Sequence, residues 1–229
     1  MHSLFDFGLE DDLIDIRARL ENVFGPGPQT RPTLYDPMDA LLRSVLSART
    51  KDEVSRKVHA DVRAHWPTWS QLATATEQEI AELIAPVTFA SDKARHLVLT
   101  LKHIAVRFPD FDLTSLQSLP VEAVRGWLQS LPGIGPRTAS AVMNFSGLDQ
   151  AAMVLDTHVL RCLRRLGVIG AKATADNAYD LIMTAADNWD GADLSELHWL
   201  LKRLGHAFCH ATQPACADCP LKGRCPATV

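Results

Sequence analysis

Four of the five cysteines fall in the last 21 residues, where Cys209, Cys216, Cys219 and Cys225 stand in the spacing C-x6-C-x2-C-x5-C. This cluster is what most narrows the way the end of the chain can fold. A secreted disulfide scaffold would spread its cysteines through the sequence, so the clustering points to a metal site. Four thiolates suit tetrahedral zinc or a 4Fe-4S cluster. Structural zinc sites more often show two close C-x2-C pairs. Only Cys216 and Cys219 are that close here, so the spacing leans towards iron and sulfur. Cys162, the fifth, lies on an apolar helical stripe and reads as a core residue.

The rest of the chain is patterned as helices. Leu13, Ile16, Leu20 and Phe24 predict an amphipathic helix over 10–24 with an acidic first turn. The stretch GPGPQTRPTLYDP, residues 25–37, is rich in breakers and reads as a connector and domain boundary. Asp36 and Pro37 then open a helix carrying Met38, Leu41, Leu42, Val45 and Leu46. Arg49, Thr50 and Lys51 interrupt it before Val54, Val58 and Val62 resume a stripe. Thr68 and Trp69 begin a turn, and Thr76 with Glu79 reads as a capping box on a short helix that Pro86 closes. A loop holding Phe89 precedes a long helix with Ala94, Leu97, Val98, Leu101, Ile104 and Ala105 inward. Residues 121–130, 173–186 and 195–208 complete the helical segments. No segment alternates like a strand, so the expected class is all-α with nine or ten short helices.

At 229 residues and 47% apolar content the chain can bury one large core or two smaller ones. No apolar run approaches the roughly 20 residues that span a bilayer, so no membrane partner is expected. The acidic start MHSLFDFGLEDDLIDI is unlike a secretory or import leader, and a cytoplasmic location is expected, nucleoid-associated when DNA is bound. The formal net charge of -4 counts mildly against nucleic-acid binding. Its distribution matters more: acidic residues gather near the N-terminus and between Asp176 and Glu196, whereas Arg161, Arg164 and Arg165 follow directly after the turn LDTH.

Two stretches carry chemistry. In LPGIGPRTASAV, Gly133 and Gly135 flank Ile134, and Pro136 takes the first helical position. Such a turn exposes backbone amides at a helix N-terminus, which suits a phosphate. It is also what a plain helical turn would use to plug Ile134 into the core. Asp156 precedes an apolar stripe and is simplest as a helix N-cap. A carboxylate is also what a reaction passing through an oxocarbenium-like sugar would need. His158 reads as a first-turn surface histidine, and Phe89, belonging to no stripe, as a side chain folded back on the core.

Taken together, the hairpin LPGIGPRTA, the LDTHV turn about twenty residues later and the cysteine tail resemble the helix-hairpin-helix DNA glycosylases of the endonuclease III type. The resemblance covers about Asp36 to Cys225. It implies a two-lobed all-α fold: a six-helix barrel over residues 30–150, with the hairpin motif at about 121–148, and an iron-sulfur lobe from 1–29 and 151–229. It implies a monomer binding double-stranded DNA across the cleft between the lobes, with a damaged or mismatched base flipped out to Asp156 as the catalytic carboxylate. Cys209, Cys216, Cys219 and Cys225 would ligate a 4Fe-4S cluster. Gly133, Ile134, Gly135, Arg137, Thr138 and His158 would contact DNA, with Arg49 and Phe89 filling the gap left by the flipped base.

The departures from the family pattern carry information. Bifunctional members have a lysine where this chain has Arg137. That amine attacks the sugar and forms a Schiff base, and a guanidinium cannot. No lysine occurs between Lys102 and Lys172, so no near neighbour can substitute. The expected activity is therefore monofunctional glycosylase, with Arg137 left to contact the flipped nucleotide or a phosphate. Arg49 stands where glutamine is common and Phe89 where leucine is common, which suggests a substrate other than oxidised pyrimidines. HATQPA, between Cys209 and Cys216, lacks the usual basic residues, so a shallower salt dependence is expected. The alternatives are a bifunctional glycosylase with lyase activity and a non-catalytic iron-sulfur DNA-binding protein.

Overall fold

The computed structural model describes residues 6–26 and 35–227, with the side chains of Asp6 and Phe7 left aside. Residues 27–34 of the expected connector lie outside the described residues. Among the described residues there are eleven α-helices and no strand; one isolated parallel bridge joins Tyr35 to Ser146. No helix of these is long and apolar enough to cross a membrane. The chain divides into two compact units, one drawn from residues 34–150 and the other from 1–33 together with 151–229.

The first of these units holds α2 (Pro37–Ser47), α3 (Asp52–His65), α4 (Trp69–Thr74), α5 (Glu77–Leu83), α6 (Ala90–Arg107), α7 (Val121–Ser130) and α8 (Pro136–Phe145). Asp36 starts α2 by accepting from Met38 N (2.9 Å) and Asp39 N (3.2 Å). Thr76 and Glu79 form the expected capping box, and Thr68 with Gln71 forms a second. Helix α8 is buried nearly all round, from Thr138 to Asn144, and packs against α2 and α7. On α6 the buried stripe is Lys93, Ala94, Leu97, Thr100, Leu101 and Ile104. Val98 and Ala105 are only half-buried, so the inward face is rotated towards two polar residues that hydrophobic spacing could not identify.

The second unit holds α1 (Asp6–Phe24), α9 (Thr157–Arg165), α10 (Ala175–Ala185) and α11 (Gly191–Ala207). Leu13, Ile16 and Leu20 are fully buried, and α1 packs on α10 and α11. Helix α11 begins at Gly191, four residues before the expected start at Ser195, because Asp190 caps it by accepting from Ala192 N (2.7 Å) and Asp193 N (2.9 Å). Arg17 on α1 pairs with Glu21 and Asp193 and with Glu196. The acidic segments are thus tied together inside this unit. Helices α9 and α11 cross closely at Gly205, where an added Cβ would lie 2.8 Å from the Cβ of His158.

That crossing gives a stability test. Gly205→Val is expected to cost about 2 kcal/mol by overpacking and to lower Tm by roughly 4–8 °C in a chain of this size. Gly126, exposed on α7 where an added Cβ would meet no atom within 4 Å, is the contrast: Gly126→Ala should raise Tm slightly. Equal melting shifts in the two variants would refute the close crossing.

Candidate active site and nucleic-acid contacts

The hairpin is built on α6 and α7. Ile134 N donates to Leu131 O (3.1 Å), and Gly133 takes φ +76°. A Cβ on Gly133 would land 2.6 Å from that of His96, so both conformation and space demand glycine there. Thr100 Oγ1 donates to Pro132 O (2.7 Å), which fixes the turn to α6. Ile134 is only 5% exposed while Gly133 and Gly135 are exposed. Plugging the core and presenting backbone are therefore compatible uses of one turn. Gly135 offers α8 no side-chain cap and Pro136 follows at N1, so the amides of the first turn are left to water or an anion.

Thr138 was expected among the DNA-contacting residues, but its side chain is buried. In the first turn of a helix enclosed on almost every side, its side chain points inward, and its backbone stands at the helix start. Arg137 is half-buried, and its Nη1 is buried with no hydrogen-bond partner.

Arg49 and Phe89 both adopt left-handed backbone, with φ of 55° and 60°. Both are exposed, and the Arg49 guanidinium lies 5.7 Å from the Phe89 ring centroid. Phe89 is 54% exposed, which corrects its reading as a side chain folded onto the core. Beside them is Lys93, which sequence reasoning overlooked. Its Nζ donates to Leu46 O (2.9 Å), Ala48 O (2.8 Å) and Thr50 Oγ1 (3.1 Å). Burial pushes its pKa down to about 8, and the charge of Arg137 adds to the fall. Distance along the sequence from Arg137 thus hides a lysine that lies near it in space.

In the other unit Asp156 is 7% exposed and caps α9, its Oδ1 accepting from His158 N and Val159 N at 2.8 Å each. The N-cap expectation holds, and it fixes the carboxylate at a helix N-terminus. His158 is more than a bare surface residue: its ring stacks on His206 at 4.0 Å and its Nδ1 lies 3.1 Å from Arg161 Nη2.

Cys209, Cys216, Cys219 and Cys225 line one cavity of about 50 Å³, together with Cys162, Arg165 and Phe208. Among the described residues no three His, Cys, Asp or Glu side chains gather closely enough to hold a single metal ion. Hydrogen bonds to Cys209 from the Cys162 thiol and from Arg165 Nη1 (3.3 Å) hold its thiol below the usual range, against the effect of burial. Burial pushes Cys219 up, and charge on Cys209, Cys225 and Cys216 adds to it. Arg161 and Arg165, read as basic residues after the LDTH turn, instead bind the loop that begins at Cys209. Arg161 Nε donates to Cys209 O (2.8 Å), and Arg165 donates to His210 O (2.6 Å) and Ala211 O (2.9 Å). Arg224 is tied to Asp12 Oδ1 (2.7 Å) and Asp15 Oδ2 (2.8 Å) of α1.

The chain is similar to known proteins over most of its length. The chain is 27% identical over 202 residues to an endonuclease III of Synechocystis, covering 88% of this chain and 86% of that one. It is 28% identical over 193 residues to a thymine-DNA glycosylase of Aeropyrum pernix, covering 83% and 82%. Its fold matches a solved structure of a trapped endonuclease III-DNA covalent intermediate with a TM-score of 0.79 at 22% identity, over 95% of this chain and 96% of that one. Residues 42–187 match the family described as HhH-GPD superfamily base excision DNA repair protein. That match spans well over half of the 229 residues, enclosing both the hairpin and Asp156, and the chain belongs to the HhH-GPD superfamily of base excision DNA repair proteins.

Proposed function

We propose that the protein is a monofunctional DNA glycosylase that hydrolyses the N-glycosidic bond of a damaged or mismatched base in double-stranded DNA and leaves an abasic site. The observation that carries this reading is Asp156, a buried carboxylate held at the N-terminus of α9 in a member of a base excision repair superfamily. As the bond between the base nitrogen and the sugar C1′ breaks, its electron pair leaves with the base and the sugar acquires oxocarbenium character. The Asp156 carboxylate stabilises that charge and orients a water. The water oxygen then bonds to C1′ and gives up its proton as the base takes one. Flipping delivers the nucleotide, the hairpin amides hold a backbone phosphate, and the guanidinium of half-buried Arg137 offers that phosphate or the flipped nucleotide a charged donor. The thymine-DNA glycosylase relative makes a mispaired base one substrate to test.

A second reading, a glycosylase with lyase activity, has one observation in its favour. The lowered pKa of Lys93, about 8, moves its amine towards the range in which lysine is a nucleophile. Against it, all three donors of that amine are committed to protein oxygens.

The four cysteines are proposed to ligate a 4Fe-4S cluster. Their shared cavity and the arginine-supported Cys209 thiolate fit such a group. When bound, the cluster would crosslink the C-terminal segment around one centre, with Arg161, Arg165 and Arg224 bracing it.

Duplexes carrying uracil, thymine glycol, alkylated purines or mispairs, incubated with and without alkali, test the chemistry. Strands are expected to break only after alkali treatment. An adduct trapped by borohydride would overturn the monofunctional assignment. Asp156→Asn keeps an N-cap side chain of equal quality while removing the charge. It should lower single-turnover excision about 10²- to 10⁴-fold with duplex binding retained; full activity would exclude Asp156 from the chemistry. The cofactor has its own check: a brown protein with iron and acid-labile sulfide in equal amounts, both reduced in Cys219→Ser. A colourless protein that copurifies with zinc would refute it.

A further inference from the structure

Two loops of the unit formed by residues 34–150 carry backbone that their residues disfavour. Left-handed φ at a non-glycine residue is unfavourable and persists only where the surroundings enforce it. Arg49 and Phe89 both adopt it, both side chains are exposed, and cation and ring lie within interaction range. They are far apart in sequence, so something must hold the loops in one register.

That role falls to the Lys93 side chain, which is only 8% exposed. Lys93 N donates to Phe89 O (3.0 Å), which joins Lys93 directly to the second loop. Its Nζ donates to Leu46 O and Ala48 O, where α2 ends, and to Thr50 Oγ1, on the far side of Arg49. Thr50 Oγ1 also accepts from Thr88 N (3.2 Å), the residue before Phe89. Three donors on a compact ammonium match three acceptors that run from the last turn of α2 through the Arg49 turn. A cation at the last carbonyls of α2 also suits the negative end of that helix.

We propose that Lys93 is a positioning residue that locks the Arg49 and Phe89 loops into one wedge, preset to occupy the gap left in a duplex by an extruded nucleotide. The inference rests on the reading above, that both loops enter DNA. Presetting matters because a tip that must first be ordered spends binding energy on its own order, and small misplacements cost rate steeply.

The test uses the full protein and a duplex bearing a tetrahydrofuran abasic-site analogue opposite 2-aminopurine, whose fluorescence rises when the base is unstacked. Wild type should raise the signal, and Phe89→Ala should largely abolish the rise. Lys93→Met should reduce it to a similar extent, with helical circular dichroism preserved, and the double variant should be no worse than either single one. Single-turnover excision by Lys93→Met should fall on the order of tenfold, with little change in the concentration for half-saturation. Lys93→Arg, which keeps charge and donors, should restore part of both signals. Thr50→Val, which removes the shared hydroxyl with almost no change of shape, should reproduce the defect if Lys93→Met folds poorly. If Phe89→Ala leaves the rise intact, the wedge reading fails. If Phe89→Ala abolishes it while Lys93→Met or Thr50→Val does not, the wedge stands and the role of Lys93 is overturned. A borohydride-trapped adduct on Lys93 would also overturn it, making the amine a nucleophile.

Discussion

Every helix leaves its first backbone N–H groups without intrahelical partners, and how these are satisfied distinguishes the regions of this protein. Asp36, Thr68, Thr76, Asp156, Thr174 and Asp190 each supply a side-chain oxygen to the helix that follows. Helices α3, α6, α7 and α8 begin at Lys51, Phe89, Pro120 and Gly135 with no side-chain cap. Three of these four starts directly follow a loop proposed to meet DNA: the Arg49 turn, the Phe89 turn and the glycine hairpin. Where the backbone is to meet a polyanion, a side-chain cap would compete for the same donors, and the chain omits it.

Asp156 shows the complementary use of a helix start. With only the sequence in hand, a cap and a catalytic carboxylate are rival explanations of one residue. In the structure the two uses are compatible: two N–H groups anchor one oxygen and thereby fix where the carboxylate proposed for the chemistry sits. Charge is handled in a similar way. A net charge of -4 looks unfavourable for DNA, yet Asp12, Asp15, Glu21, Asp193 and Glu196 are engaged by Arg17 and Arg224 within one unit. Bulk charge therefore says little about the surfaces that meet a phosphate backbone.

What could be read from the sequence was local. The caps at Asp36 and Thr76, the hairpin glycines and the class of the fold depend on residues a few positions apart. Lys93 could not be found this way, because its partners Leu46, Ala48 and Thr50 are more than forty positions away and its place on α6 looks polar and hence exposed. Arg161 and Arg165 were legible as basic but not as braces, since their acceptors are carbonyls of a loop over forty residues further on. For Thr138 the motif names a residue without saying which atoms face outward, and the structure leaves only its backbone for that use. From its own pattern Phe89 was legible only as an anomaly, a large apolar residue without a stripe; the resemblance alone suggested a surface role, and its exposure makes it a surface feature.

Arg137 brings these threads together. A buried, unpaired guanidinium nitrogen costs on the order of 1–3 kcal/mol, more when charged, and such groups in folded proteins call for an explanation. Lys93 cannot relieve it, since both carry positive charge and each raises the cost of the other. An anion at the partly exposed guanidinium offsets that charge, and a planar guanidinium grips phosphate oxygens with two parallel donors where an ammonium offers a point charge. Replacing a family lysine by arginine therefore does more than remove a nucleophile. On the reading proposed above, the position holds the nucleotide instead of attacking the sugar, and that division of labour leaves the reacting charge to Asp156.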